Sequence, residues 1–154
     1  MPTLAYLPRR VAVHVAVLLA LLGSMFVSTA QPAHATLGSQ AVTIASYQKG
    51  DPYQWGAAGP DKFDCSGLTQ YVYGRLGKYL PHNASMQYST TYVTRLSKSS
   101  KAPGDLIFMR NSSGSIYHVG IYAGSGKWWV APRTGAYVRL EYIYSTNYSV
   151  GRVK

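Results

Sequence analysis

Cysteine is almost missing from this chain: 154 residues hold one, Cys65, and acidic side chains number only five. A lone thiol forms no internal disulfide, so the fold must stand on packing alone. Cys65 is then a small buried hydrophobe, an intermolecular cross-link or a nucleophile. Internal repeats, heptads and low-complexity tracts are absent too, so nothing points to a solenoid, a coiled coil or a disordered tail. The histidines and scattered carboxylates show no ligand spacing, and neither a metal site nor a cofactor is expected.

One long apolar run is present. Arg9 and Arg10 precede it, it extends from Val11 to Val27, and it gives way to small and polar residues before Ala33-His34-Ala35. That order is the pattern of a secretory signal peptide; a run of about 17 residues is short for a membrane span. Cleavage is expected after Ala35, with Ala30 as the alternative, leaving residues 36–154 as one domain with no stable membrane anchor. Loss of Arg9 and Arg10 leaves 13 basic against 5 acidic residues, a formal charge of +8. Outside the membrane such a charge favours anionic wall polymer or lipid headgroups over nucleic acid, although solubility alone would also account for it.

Within 36–154, Ala41, Val42, Ile44, Ala45 and Tyr47 give a brief helical pattern that Gly50-Asp51-Pro52 ends. Leu68, Tyr71, Val72 and Leu76 recur at spacings of three and four, predicting an amphipathic helix capped by Asp64 and ending at Gly77. A short helix is expected over Ala84–Ser89 behind a cap at Asn83. After Pro103-Gly104 the runs 106–109, 117–122, 127–131 and 137–143 are rich in Val, Ile and aromatics, with 150–153 as a candidate edge strand. Helices followed by strands make an α+β fold, with the helices on one face of an antiparallel sheet.

With Asp64 as cap, Cys65 is the first helical residue, where free backbone amides and the helix dipole favour a thiolate and can face an oxyanion. A buried, inert cysteine fits the same position. Two histidines follow the signal segment, His82 and His118. "HVGIY" alternates so that His118, Gly120 and Tyr122 share one strand face, and the small Gly120 suits an open site; His82, in a turn after Pro81, is expected to face solvent.

The segments "PYQWGAAGPDKFDCSGLTQYVY", "LPHNASMQ", "PGDLIFM", "HVGIYAGSGKWWVAP" and "TGAYVRL" resemble, in order and spacing, the motifs of the NlpC-like family of bacterial cell-wall cysteine peptidases. The resemblance runs from about Pro52 to the end. It implies a compact papain-like fold, Cys65 as nucleophile and His118 as general base. It also implies that Tyr53, of the Tyr-x-Trp-Gly motif, lies beside the nucleophile, and that Asp64 and Ser66 lie near the substrate's amino group. Packing, capping and a plain first-turn role are the simpler assignments for these three, and Trp55 reads as structural. The implied substrates are peptidoglycan stem peptides, commonly cut between D-glutamate and a diamino acid, by a secreted, wall-associated monomer.

The pattern breaks at Val130, which occupies the family's third polar position, the one that orients the imidazole. An odd hairpin loop centred on Gly124 would set Val130 opposite His118 and an even one Ala131; neither side chain accepts a hydrogen bond. Lesser departures are Ala57 for a second Gly after Trp-Gly and His82 for the Arg after Leu-Pro. A working but slowed peptidase is the leading expectation. A wall-binding domain of the same fold that has lost turnover is the other.

Overall fold

The computed structural model describes residues 35–154; the expected signal segment 1–34 lies outside them. Three helices precede and flank a six-stranded antiparallel sheet, an α+β architecture as the sequence pattern requires. Helix α1 spans Leu37–Tyr47, α2 Cys65–Gly74 and α3 Ala84–Ser89. The strands are β1 Val93–Leu96, β2 Leu106–Arg110, β3 Ile116–Gly124, β4 Lys127–Val130, β5 Arg139–Tyr142 and β6 Tyr148–Val153, in the order β1-β6-β2-β3-β4-β5.

All three helices start on a side-chain cap. Thr36 accepts from Ser39 N–H at 3.1 Å, Asp64 from Gly67 N–H at 2.7 Å and Asn83 from Met86 N–H at 3.0 Å, each satisfying an amide that has no partner inside its helix. The Thr36 cap starts α1 four residues before its apolar pattern begins at Ala41. Helix α2 ends at Gly74 rather than at Gly77, because residues 75–77 tighten into a turn in which Gly77 N–H donates to Gly74 O at 3.0 Å.

The sheet buries side chains on both faces. Leu106, Phe108, Val119, Ile121, Trp129 and Ala131 meet Ala41, Ala45, Leu68 and Val72 of the helices, whereas Ile107, Met109, Trp128, Val130 and Val150 pack together on the other face. Strand β2 therefore reads as the unbroken apolar run Leu106–Met109. Two sequence expectations change here. Strand β6 is not at the edge but between β1 and β2, and the edge is β1, whose "VTRL" carries too little alternation to announce a strand. The segment after β4 is a loop until Arg139, pinned backbone to backbone on residues 50–53.

Candidate active site

Helix α2 begins where its N-terminus meets β3. Close packing there depends on Gly67: a Cβ at that position would lie 2.0 Å from Ala57 O, so only glycine lets the first turn sit on the 56–58 loop. Behind that turn, the fully buried Gln87 donates from Nε2 to Ser66 O and Pro81 O at 2.9 and 2.8 Å and accepts from Thr69 Oγ1 at 2.7 Å. Gln87 thus locks α2 to α3 one residue from the cysteine. The sequence offered only its place in a short helix.

Cys65 is half-buried and free. Burial dominates at the sulfur and pushes the thiol above its ordinary value, outweighing the nearby backbone amides of Val119, Ser66 and Cys65 itself, which favour the thiolate. The lowered thiol expected from the helix terminus is therefore not found. Val119 adjoins His118, so the thiol and imidazole line one cleft of about 600 Å³ together with Tyr53, Trp55, Tyr117 and Tyr144. His118 is 8% exposed, and burial holds its pKa down to about 4 against the opposing pull of the Glu141 carboxylate. At neutral pH the pair is a neutral thiol beside a neutral imidazole.

Among the described residues no group hydrogen-bonds either nitrogen of His118. Strand β4 pairs Tyr122 with Trp128 and Ile121 with Trp129, with an irregularity at the Gly124 end where Ser125 adopts φ +51°. Continued, that register sets Val130 opposite Gly120 and Pro132 opposite His118, so neither Val130 nor Ala131 faces the imidazole directly. Val130 remains a diagonal neighbour on the same face, without an acceptor. Nor does Gly120 leave an opening: a Cβ there would meet the Trp128 ring at 2.6 Å, and that ring contacts the imidazole edge to face at 5.5 Å. Apolar and aromatic packing, rather than a hydrogen bond, holds His118 in place.

The remaining residues singled out from the sequence fall as follows. Tyr53 lines the cleft and is half-buried, its hydroxyl pKa raised by burial first and then by Cys65 and Asp64. Asp64 and Ser66 border a smaller recess of about 160 Å³ on the other side of Cys65. Their polar atoms are already engaged: Asp64 accepts from Gly67 N–H, from Ser66 Oγ at 3.2 Å and from Gly56 N–H at 2.9 Å. His82 is exposed, as expected, and is also partnered: its Nε2 lies 2.9 Å from Asp64 Oδ1. Trp55 is not structural either, being 82% exposed at the cleft mouth. Tyr117, Tyr144, Glu141, Arg133 and Arg139 also line the larger cleft, and no local sequence pattern singled them out.

An α+β domain with a helix-terminal cysteine and a strand histidine sharing one cleft defines a thiol-type active-site architecture. Residues 50–151 match the model of the NlpC/P60 family, and the chain belongs to that family. It is 50% identical over 86 residues to a probable endopeptidase p60 of Listeria innocua, covering 54% of this chain and 18% of the relative. Over 96 residues it is 40% identical to the murein DD-endopeptidase MepH of Escherichia coli, covering 60% and 35%. The crystal structure of the NlpC/p60 domain of the peptidoglycan hydrolase SagA superposes with a TM-score of 0.66 at 35% identity, covering 76% of this chain and 97% of that one. The chain thus spans less than a fifth of the p60 relative and about a third of MepH.

Proposed function

We propose that the protein is a secreted peptidoglycan endopeptidase acting on cell-wall stem peptides through Cys65 and His118. The observation that carries this reading is the placement of Cys65 at the start of α2, in one cleft with His118. Family membership and relatives named as endopeptidases support the reaction class.

In this mechanism His118 takes the thiol proton as the sulfur attacks the scissile carbonyl. The backbone N–H groups at the start of α2 face the developing charge. The imidazolium then protonates the leaving amine, and a thioester to Cys65 remains. His118 next deprotonates a water, which hydrolyses the thioester, releases the new carboxylate and restores the thiol. Tyr53 borders the reacting centre. Asp64 and Ser66 border the recess where a substrate amino group would lie, and His82 must yield its bond to Asp64 for that contact to form. Residues 36–154 are the proposed mature, monomeric form. It is held at the wall by its +8 charge on anionic polymer.

We favour the bond between D-glutamate and the diamino acid; similarity to MepH, a murein DD-endopeptidase, makes a D,D bond the competing choice. Mass spectrometry of muropeptides released from purified peptidoglycan decides between them, run beside Cys65→Ala. A second reading, a wall-binding domain with little turnover, is favoured by the unbonded imidazole and by Val130. It predicts that wild type releases nothing and that Val130→His does.

A further inference from the structure

Strand β3 carries one residue more than its partner where it enters the cleft. Its register with β2 pairs Met109 with His118 and Arg110 with Ile116, which leaves Tyr117 over as a bulge. In a regular strand Tyr117 and His118 would point to opposite faces. A bulge re-aims the side chain it carries, and Tyr117 accordingly joins His118 in the cleft wall, its ring centred 6.3 Å from the imidazole and only 18° from parallel.

The rings around His118 form a closed circuit. Trp128 meets the imidazole edge to face at 5.5 Å, Tyr144 meets Trp128 at 5.9 Å, and the hydroxyls of Tyr144 and Tyr117 lie 3.2 Å apart. Trp128 is fully buried and its Nε1 has no partner among the described residues, so the indole packs without a hydrogen bond. The tyrosine hydroxyl pair is thus the one polar link that closes the circuit. The segment bearing Tyr144 is anchored at both ends: Ile143 N–H donates to Gly126 O at 2.9 Å, Arg110 N–H to Asn147 O at 2.9 Å, and Asn147 Nδ2 to Arg110 O and Asn111 O at 3.1 and 3.0 Å. Asn147 therefore ties this segment to β2 at the step where the bulge begins, and the two tyrosines are held against the same corner of the sheet.

We infer that Tyr117 and Tyr144 are positioning residues: their paired hydroxyls close the aromatic circuit that fixes the His118 imidazole in the cleft it shares with Cys65, the task a polar partner would otherwise perform. Val130 supplies no acceptor, and the circuit restrains the ring from both sides without one. The catalytic consequence rests on the peptidase reading; the restraint on the imidazole does not.

Kinetics test the consequence. On the muropeptide that the wild type cuts, Tyr144→Phe is expected to lower kcat about threefold with KM unchanged, a modest share for a neutral hydrogen bond because both tyrosines are more than half exposed. Tyr117→Phe should do the same and the double variant no more, since the two side chains share one bond. Tyr144→Leu, which also withdraws the ring from Trp128, should cost about tenfold. Tyr92→Phe, at an exposed tyrosine outside the cleft, should cost nothing. A second readout needs no turnover. In the Cys65→Ala background, carbon-13 relaxation of the labelled histidine rings should show His118 rigid, and Tyr144→Leu should loosen it while leaving His82 as it was. Unchanged kcat in both Phe variants, additive losses in the double variant, or a His118 ring whose mobility Tyr144→Leu does not alter overturns the inference. If the wild type releases no muropeptides, the peptidase reading falls by itself, and ring relaxation still decides whether the tyrosines hold His118.

Discussion

Cys65 and His118 meet as neutral groups, and this sets the pH behaviour of the site. Catalysis by a neutral imidazole fails only when His118 takes a proton, and burial holds that event down to about pH 4. The acid limb of kcat/KM is therefore expected well below the usual imidazole range near 6.5, and a limb at 6 to 7 would contradict the buried geometry. Stability follows the same linkage. The unfolded chain binds a proton at His118 near pH 6.5 and the folded chain only near 4, so stability is complete above 6.5 and falls as pH drops through that window. The expected loss is on the order of 3 kcal/mol. Urea unfolding at pH 7 and pH 4, with His118→Gln as reference, measures it; a reference variant that loses as much as wild type speaks against His118.

Val130 packs fully buried against Trp128, so Val130→His trades stability for an acceptor. The variant should lose roughly 1–3 kcal/mol in urea unfolding through overpacking and gain kcat by restoring a hydrogen-bonding partner to the imidazole. Lower kcat in a folded variant would mean that packing alone already orients His118 well. Cys65, Asp64 and the alternation around His118 were legible in the sequence, since caps and strand periodicity are local signals. The diagonal offset of Val130 was not, because the irregularity between Tyr122 and Gly124 shifts the hairpin by a step no pattern records. Burial of the thiol was equally hidden, because it depends on Val119 and the cleft wall coming together from distant parts of the chain.

At the scale of elements, the site depends on how tightly α2 sits against the 56–58 loop and α3. Gly67→Ala gains up to about 1 kcal/mol of helix propensity but drives a Cβ into Ala57 O. A net destabilisation of roughly 1–3 kcal/mol in thermal or urea unfolding is expected, with activity falling as Cys65 shifts. Neutral behaviour in both would show that the 56–58 loop yields freely. Gln87→Leu removes three buried hydrogen bonds, leaving Thr69 Oγ1 only its bond to Ser66 O and Pro81 O only its bond from Asn83 N–H, and should cost about 1–3 kcal/mol in urea unfolding. All three helices were legible from local signals, the caps at Asp64 and Asn83 and the apolar spacings of α1 and α2, whereas the Thr36 cap that starts α1 lies before its apolar pattern. The β1–β6 pairing was not, for it joins two short strands about 55 residues apart, and β6 lies between β1 and β2 by contacts no local pattern records.

Across the whole molecule, 13 basic against 5 acidic residues in the proposed mature chain make the surface cationic. Sedimentation with purified walls should show binding that falls steeply between about 50 and 500 mM salt, because exposed charges are screened within roughly 10 Å at 0.1 M. Binding insensitive to salt would point to the exposed aromatics Trp55, Tyr137, Tyr142 and Tyr144 instead. In the proposed function charge serves retention, and bond cleavage is assigned to the cleft.

The muropeptide digest tests the central claim most directly. Purified peptidoglycan is incubated with residues 36–154 and with the Cys65→Ala form, and the soluble products are identified by mass. The account predicts discrete stem fragments from the wild type, each with a new terminus at one bond, and none from Cys65→Ala. Fragments released equally by both proteins, or by neither, would contradict it.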